Sequence, residues 1–469
     1  MCILRCHIST FVKDAILKDL IQKICQRVPA DYVEIRVHEG SSTSVVYSGK
    51  ELEDIGERTS LGGCVRVLKD GGWGFSTFND VDRLEEFAEL AVKQAELVGG
   101  EEIELAVIEP QEDRFISRPD TDPAEISLQD KQDLCHRYNE RIRNDERIQT
   151  SSVRYRDSRT TRYYGNSEGT YLQQQYSFCG ILLAAIAVDG NNVQQAYEAK
   201  GDLRGYDNVL DLEEECETIK ERAADLLAAE PIEAGNYTVI ADPKLCGVFV
   251  HEAFGHLSEA DHVYENPRLM EIMRPGKRFG EDFLNITDDG SMTGEAGFLA
   301  YDDEGVPTGR SPLIEDGVLV GRLHNRETAG RMGEKPTGNA RAISYRHPPI
   351  VRMTNTIMEP GEWTLEEMLE DTEDGIYAKG MLGGQTNMEM FTFSAEEAFR
   401  IRDGKIAEKL REVVLTGNVF KTLADIDAVG QDMKLHGGMG GCGKGGQSPL
   451  RVGDGGPHCR IQNVVIGGR

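Results

Sequence analysis

The sequence lacks three features that would each have indicated a particular class of protein. No stretch approaches the roughly 20 consecutive apolar residues that a membrane-spanning helix requires. No block rich in lysine and arginine occurs, and 52 basic against 81 acidic residues give a net charge of −29, which disfavours a nucleic-acid partner. The N-terminus has no apolar core of a signal peptide, because Arg5, Lys13 and Asp14 interrupt it. We therefore expect a cytoplasmic protein with neither a membrane nor a nucleic-acid partner.

The cysteines also lack a pattern. Ten of them are scattered over 469 residues without the dense, regular spacing of a disulfide framework. Such usage is typical of a reducing compartment. Cys2, Cys6 and Cys25 fall on or near a predicted N-terminal helix, where we expect them to be inert.

Helical and strand patterns alternate in residues 1–230. The apolar spacing predicts helices over 11–28, 80–98, 127–143 and 213–229, and strands over 32–38 and 44–47, a hairpin over 62–78 and several antiparallel strands before residue 203. Pro231 and Gly235 break the last helix before a strand at 237–241, so we place a domain boundary after residue 230. The acidic stretch 99–123 suggests a subdivision into 1–110 and 120–230.

Residues 231–469 have a different character, because short strand-like runs and glycine turns replace the long helices. This pattern predicts a β-rich domain, barrel-like or sandwich-like, with one helix near His251 packed on it. The fold class predicted for the whole chain is therefore α+β, with an N-terminal portion of helices and antiparallel strands.

The most informative segment is His251-Glu252-Ala253-Phe254-Gly255-His256. Two imidazoles and a carboxylate in six residues can bind a metal and activate a water. The histidines are five residues apart, which separates their rings by about 140° on an ideal helix. Both can face one ion only if the helix ends, tightens or bulges, and Gly255 would tolerate such an irregularity. The alternative is two unrelated histidines on a buried helix.

A catalytic zinc site needs a third protein ligand, which the sequence leaves open. The candidates are Glu259, Asp261, Glu265, Glu271, His262, His324, His347, His436 and Cys442. Cys442 lies among glycines that let the backbone turn its side chain into a confined site. Glu259 and Asp261 would by default lie on a solvated face or at a helix C-terminus, and if they function we expect them to orient the histidines from behind.

Glu252 follows the first histidine directly. A carboxylate there can take a proton from a metal-activated water and deliver it to a leaving amine, which is hydrolytic chemistry. A competing motif overlaps Cys442, because Gly438–Lys444 has the spacing of a phosphate-binding loop. Gly445 replaces the Ser or Thr that would hold magnesium, which argues against an NTPase.

Several separated motifs together resemble the TldD/PmbA family of zinc metallopeptidases. The resemblance is carried by residues 251–261, 330–341, 352–355, 383–385, 442–449 and 466–468, in family order. It implies that His251, His256 and Cys442 bind Zn²⁺ and that Glu252 is the general base. It also implies an α/β N-terminal portion, a β-rich C-terminal domain, and a homodimer or a heterodimer with a sister-type subunit.

The substrates that the resemblance implies are unfolded proteins or extended peptides. An exposed strand edge could pair with such a backbone, and Gly383, Gly384 and Gln385 are candidates for it. Thr337, Asn339 and Arg341 are further substrate-binding candidates, or else they only form a turn. The alternative to a peptidase is a non-catalytic regulatory or scaffold subunit that binds a protein partner.

Overall fold

The computed structural model describes residues 10–387 and 389–467. Cys2 and Cys6 therefore lie outside the described residues. The N-terminal region contains α1 (Thr10–Arg27), β1 (Tyr32–Ser48), β2 (Glu51–Lys69), β3 (Gly72–Phe78), α2 (Leu84–Val98), β4 (Glu112–Ile116), α3 (Leu128–Arg143), β5 (Ile148–Asn166), β6 (Tyr171–Asp189), β7 (Asn192–Asp202) and α4 (Glu213–Ala228), with 3₁₀ turns at Val81–Arg83, Pro123–Glu125 and Tyr206–Val209.

One sheet runs through this whole region. Its strand order is β3-β2-β1-β5-β6-β4, and β7 also pairs with β6. The long strands β1, β5 and β6 are antiparallel, so the sheet joins the first hairpin to the strands that follow residue 147. The helices cover the sheet, and the buried face of α3 packs on β5. Ser127 caps the start of α3 by accepting a hydrogen bond from the Asp130 N–H.

The C-terminal region is built from many short strands. It contains β8 (Glu230–Pro231), β9 (Gly235–Ala241), α5 (Pro243–Val250), α6 (Ala260–Glu265), α7 (Pro267–Ile272), β10 (Ile286–Asp289), β11 (Arg310–Glu315), β12 (Val318–Leu319), α8 (Arg326–Met332), β13 (Ala340–Arg341), β14 (Ile350–Val351), β15 (Asn355–Met358), α9 (Leu365–Glu370), β16 (Asp374–Lys379), β17 (Gly383–Asn387), β18 (Met390–Ser394), β19 (Glu397–Arg402), β20 (Lys405–Arg411), β21 (Val414–Asn418), α10 (Val419–Ala424), β22 (Ile426–Val429), β23 (Lys434–His436), β24 (Cys442–Lys444), β25 (Gln447–Leu450), β26 (Gly453–Gly456) and β27 (Cys459–Gly467).

Two sheets enclose the core of this region. The larger has the order β17-β18-β21-β27-β9-β16-β19-β20-β8, with β22 on β27, and the smaller has the order β12-β11-β10-β15-β26-β23. Helix α5 lies between them, in contact with β9 and β16 on one side and β15 and β26 on the other. Its residues Leu245, Phe249 and Val250 belong to the largest cluster of buried side chains. The start of the histidine motif is thus held from both sides by apolar packing.

The α+β class is confirmed, with antiparallel strands and helices before residue 230 and a β-rich region after it. No sheet closes into a barrel within residues 10–387 and 389–467, so the sandwich-like form of the expectation is the better description. Among the described residues, no helix has the length and apolarity needed to cross a membrane. Cys25 is buried in α1, and burial raises the pKa of its thiol to about 12, which agrees with an inert role.

Candidate metal centre

The helix that carries the histidine motif changes its winding at the motif itself. Asp242 accepts a hydrogen bond from the Leu245 N–H and Pro243 occupies the first turn, so α5 begins directly after β9. From His251 to Gly255 the backbone forms a π-helical turn, in which the His256 N–H donates to the His251 carbonyl. A 3₁₀ turn, His256–Ser258, follows. The irregularity that the five-residue spacing required is therefore present.

The π turn brings the two imidazoles to one place. Their ring centroids are 5.4 Å apart, with planes at 84°. Cys442 joins them from a distant part of the chain, with Sγ 3.3 Å from His256 Nε2. One ligand atom from each of His251, His256 and Cys442 lies within 4.8 Å of the others, and in the described part of the chain no other such group occurs.

A tight hairpin delivers the cysteine. Cys442 is the first residue of β24, which pairs with β25 across a turn at Gly445 and Gly446, whose φ angles of 56° and 74° favour glycine. The Cys442 side chain is buried. A strand followed by a hairpin turn differs from the strand-to-helix connection of a phosphate-binding loop, so the fold argues against the NTPase alternative.

A carboxylate fixes the second histidine from behind. Nδ1 of His256 lies 2.9 Å from Glu259 Oε2, and Glu259 is completely buried. This contact holds the ring so that the other nitrogen, Nε2, faces Cys442. Glu259 is in turn 3.1 Å from the Lys444 ammonium. This carboxylate–histidine arrangement is common behind metal ligands in proteins.

Glu252 lies at the open side of the cluster. Its Oε2 atom is 3.8 Å from His256 Nε2, and a quarter of its side chain remains exposed. The carboxylate is therefore close to the donor atoms and still accessible to water. This is the position that a general base for an activated water needs.

The charges in the cluster favour a thiolate. Burial alone would raise the pKa of the Cys442 thiol, but the imidazoles of His251 and His256 outweigh it and lower that pKa to about 5. Burial likewise disfavours a protonated His256, but Glu259 and the Cys442 thiolate raise its pKa to about 11. A cation at this place would meet a sulfur that is already deprotonated at neutral pH.

The residues present fit a zinc ion. Nδ1 of His251 is buried and has no hydrogen-bond partner among the described residues, although a buried ring nitrogen without a partner is costly. Two imidazoles and one thiolate form a donor set that suits Zn²⁺ and leaves a fourth position open.

Comparison with known proteins identifies relatives over the whole chain. Residues 234–468 match the model of the PmbA/TldA metallopeptidase C-terminal domain, residues 33–95 match domain 1, and residues 121–229 match the central domain. A metalloprotease of Synechocystis sp. is 48% identical over 94% of this chain and 95% of its own length. The chain belongs to the PmbA/TldD family of metallopeptidases.

Other relatives have the same description. A metalloprotease of Methanothermobacter thermautotrophicus is 35% identical over 98% of this chain and 100% of its own length. A zinc metalloprotease TldD homolog of Saccharolobus solfataricus is 29% identical over 95% of this chain and 98% of its own length. The names of these relatives support protease activity and a bound metal in this PmbA/TldD protein.

Solved structures share the fold at low identity. A Thermotoga maritima protein described as a candidate modulator of a DNA gyrase superposes with a TM-score of 0.78 at 22% identity, over 97% of this chain and 100% of that one. TldE from Thermococcus kodakarensis superposes with a TM-score of 0.74 at 20% identity, over the same shares. These structures show the PmbA/TldD fold of the chain.

The other candidate third ligands lie outside the cluster. Asp261 is bound to Lys444, Glu265 and Glu271 are exposed on α6 and α7, and His262 is half exposed. The remaining three histidines are engaged or placed elsewhere: His324 contacts Thr328 and Glu334, His347 contacts Ser344, and His436 lies on β23 with its buried Nε2 unpaired among the described residues.

The candidates near residue 340 have internal partners. The amide of Asn339 donates to Asp288 and to the Arg352 carbonyl, and Arg341 donates to the Met353 and Arg451 carbonyls. Both side chains are at most 3% exposed. The structure thus does not bring them to the metal cluster, and they support the backbone beside Gly255. The Thr337 hydroxyl accepts a hydrogen bond from the His324 N–H and donates one to the His324 carbonyl, which stabilises a turn.

The candidates at Gly383–Gln385 lie on an edge. Among the described residues, strand β17 pairs with β18 alone. Some of its Cα atoms lie within 8 Å of Cα atoms in the π turn. A groove of about 620 Å³ runs along it, lined by Gly383, Gly384 and Gln385. None of the three candidate ligands lines that groove. The free edge and the cluster are nevertheless neighbours.

Sequence reasoning missed two residues of the site. Lys444 appeared in it only within the phosphate-loop spacing and the family resemblance, and Arg352 only within that resemblance. In the structure the Lys444 side chain is 8% exposed and contacts Glu259 behind His256. Arg352 is completely buried and donates to the hairpin that carries Cys442. A lysine two residues after a candidate ligand, on the same face of a strand, is the signal that was available.

Proposed function

We propose that the chain is a zinc-dependent peptidase that hydrolyses peptide bonds in unfolded proteins or extended peptides. The observation that carries this proposal is the convergence of His251, His256 and Cys442, with Glu252 at their open side. Family membership supports the reaction class, and the thiolate supports zinc over iron or manganese. His251, His256 and Cys442 would hold the ion, which when bound supplies a Lewis acid and lowers the pKa of a coordinated water.

Glu252 moves the proton in this proposal. It accepts the proton of the attacking water and passes it to the amine that leaves when the peptide bond breaks. Its partial exposure permits this exchange, whereas Glu259 is completely buried and bound to His256. Glu252 and Glu259 therefore have different tasks: Glu252 handles protons and Glu259 holds a ring in place.

An extended substrate would bind along β17. Its edge offers backbone hydrogen-bonding groups beside the π turn, and pairing with them selects an extended chain more than a sequence. A peptide N-methylated at alternate amides should compete poorly for cleavage, while one of scrambled sequence should compete as well as the original. Equal competition by the methylated peptide would contradict binding at a strand edge.

The decisive experiment replaces Glu252 by Gln. We expect E252Q to bind one zinc per chain and to lose cleavage of an unfolded protein, because the amide has the same shape and cannot take the proton. The matched control is Glu265→Gln on the exposed face of α6, which should cleave normally. Cleavage by E252Q at the wild-type rate would remove Glu252 from the mechanism.

The assembly and the location belong to the same proposal. As the family resemblance implies, we expect the chain to act in the cytoplasm as a homodimer or with a sister-type subunit, and to use residues 231–469 for chemistry. Light scattering of the purified chain distinguishes self-association from dependence on another subunit. A purely scaffolding role would need no stoichiometric metal, so metal analysis of protein purified without added zinc separates it from the peptidase.

A further inference from the structure

The hairpin that carries Cys442 has little stiffness of its own. Glycines occupy positions 437, 438, 440, 441, 443, 445 and 446, around a single cysteine that must meet two rings from a distant helix. Glycine has the largest conformational freedom in the unfolded chain, so such a segment is ordered only when other groups hold it. Contacts outside the hairpin must therefore set the position of Sγ relative to His256.

Lys444 provides one set of these contacts. Its Nζ lies 2.6 and 2.8 Å from the two carboxylate oxygens of Asp261, 3.1 Å from Glu259 Oε2 and 2.9 Å from the Val351 carbonyl. An ammonium group has three N–H donors, and these three partners use all of them. The side chain is 8% exposed. One buried cation thus joins β24 to the segment after His256 and to β14.

Arg352 provides the reverse contact. Its guanidinium donates to the Cys442 carbonyl at 2.7 Å and to the Gln447 carbonyl at 3.1 Å, so it grips both strands of the hairpin. Arg352 follows Val351, which receives the bond from Lys444. Each segment therefore sends a charged side chain to the backbone of the other. This reciprocal pair, Lys444 and Arg352, is called the hairpin lock below.

We propose that Lys444 is a positioning residue that, through the hairpin lock and through Glu259, sets the Cys442 thiolate against His256 before a metal binds. The inference rests on the proposed function, since it concerns the affinity of the same three ligands for zinc. Lys444 has no donor left for a substrate, so its effect passes through Cys442 and His256. Without it, only Arg352 of the lock would hold the hairpin, and Glu259 would lose one of the cations that balance its buried charge.

The test is the zinc affinity of Lys444→Met, which keeps the length of the side chain and removes its donors. Competition with a chelating indicator measures the dissociation constant, and the cobalt(II) absorption spectrum reports how the ligands are arranged. We expect zinc to bind roughly 10- to 100-fold more weakly than to the wild type, as when other partners of metal ligands are lost. The cobalt spectrum should also change. Lys405→Met, at an exposed position on β20, is the matched control and should bind as the wild type does.

The outcomes separate this inference from the proposed function. If the wild-type chain itself binds no zinc, the metal assignment fails. If the wild type binds zinc and Lys444→Met binds it equally well with the same cobalt spectrum, the positioning role is refuted. If Lys444→Met does not fold, Asp261→Asn decides, because it neutralises one partly exposed partner of the same ammonium. A severalfold weaker affinity in that variant supports the role, and an unchanged affinity overturns it.

Discussion

Replacing Gly255 by Ala should destabilise the protein, although alanine is the better helix former. Gly255 has φ −55° and ψ −51°, which any residue adopts, so the backbone alone would gain about 1 kcal/mol from the change. An added methyl group, however, would overlap Met353 Sδ. Met353 is completely buried and Arg341 holds its carbonyl, so it has little room to move. Overpacking of this kind costs about 1 to 3 kcal/mol, so we expect a net loss of up to about 2 kcal/mol.

A double-mutant cycle tests this reasoning. Met353→Ala alone should cost about 2 to 5 kcal/mol because it leaves a cavity. In that background Gly255→Ala meets no sulfur, so its effect should reverse and stabilise the protein by up to about 1 kcal/mol. Urea unfolding of the metal-free variants measures all four free energies, with Gly56→Ala, where a methyl group meets no atom within 4 Å among the described residues, as the control. The same sign in both backgrounds would refute the account of Gly255.

Three further predictions concern charges at the site. At neutral pH, Glu259→Gln should lower the free energy of unfolding by about 3 kcal/mol. Burial raises the pKa of Glu259, but Lys444 and His256 outweigh burial and lower that pKa from 4.5 to about 2. This contribution to stability is present above about pH 4.5 and is lost as the pH falls towards 2. The urea unfolding midpoints of the variant and the wild type should therefore converge near pH 2, and a difference that stays constant with pH would contradict the prediction. In metal-free protein, the thiolate absorbance that Cys442→Ser removes should titrate near pH 5, and a midpoint near 9 would contradict the paired charges. ATP should not raise the melting temperature, because Lys444 has three internal partners; a clear rise would revive the phosphate-loop alternative.

The sequence predicted most elements of the N-terminal region because their signals are local. Ser127 caps a helix that ends at Arg143, and the helix expected at 213–229 is found at Glu213–Ala228. The strands expected at 32–38 and 44–47 are instead one strand, β1. The polar residues between them look like a break, but β2 and β5 pair with that stretch on both sides. Tertiary pairing satisfies the backbone there, which a single segment cannot reveal.

The sequence predicted the types of the candidate metal ligands better than it predicted the residues that hold those ligands in place. The five-residue spacing required an irregular turn, and the π turn is its physical form. The position of Cys442 depended on a resemblance, because no local pattern links residues 186 positions apart. Asn339 and Arg341 illustrate the opposite case, since the sequence suggested only substrate binding or a turn for them. Their partners are the Asp288 carboxylate and three backbone carbonyls, which only the folded chain brings near.

The site has a histidine arm, which begins at α5, and a cysteine arm, which is the hairpin that carries Cys442. Different kinds of interaction hold the two arms, and the difference follows from their sequences. Helix α5 is apolar and fits between two sheets, so burial and the Asp242 cap together fix the position of His251. The glycine-rich hairpin buries little apolar surface, and charged side chains must fix Cys442 instead. Apolar packing tolerates changes of pH that ion pairs do not. Acid should therefore release the cysteine arm of the site, and the His256 ring with it, before it disturbs α5, because Glu259 must stay charged to hold both Lys444 and His256.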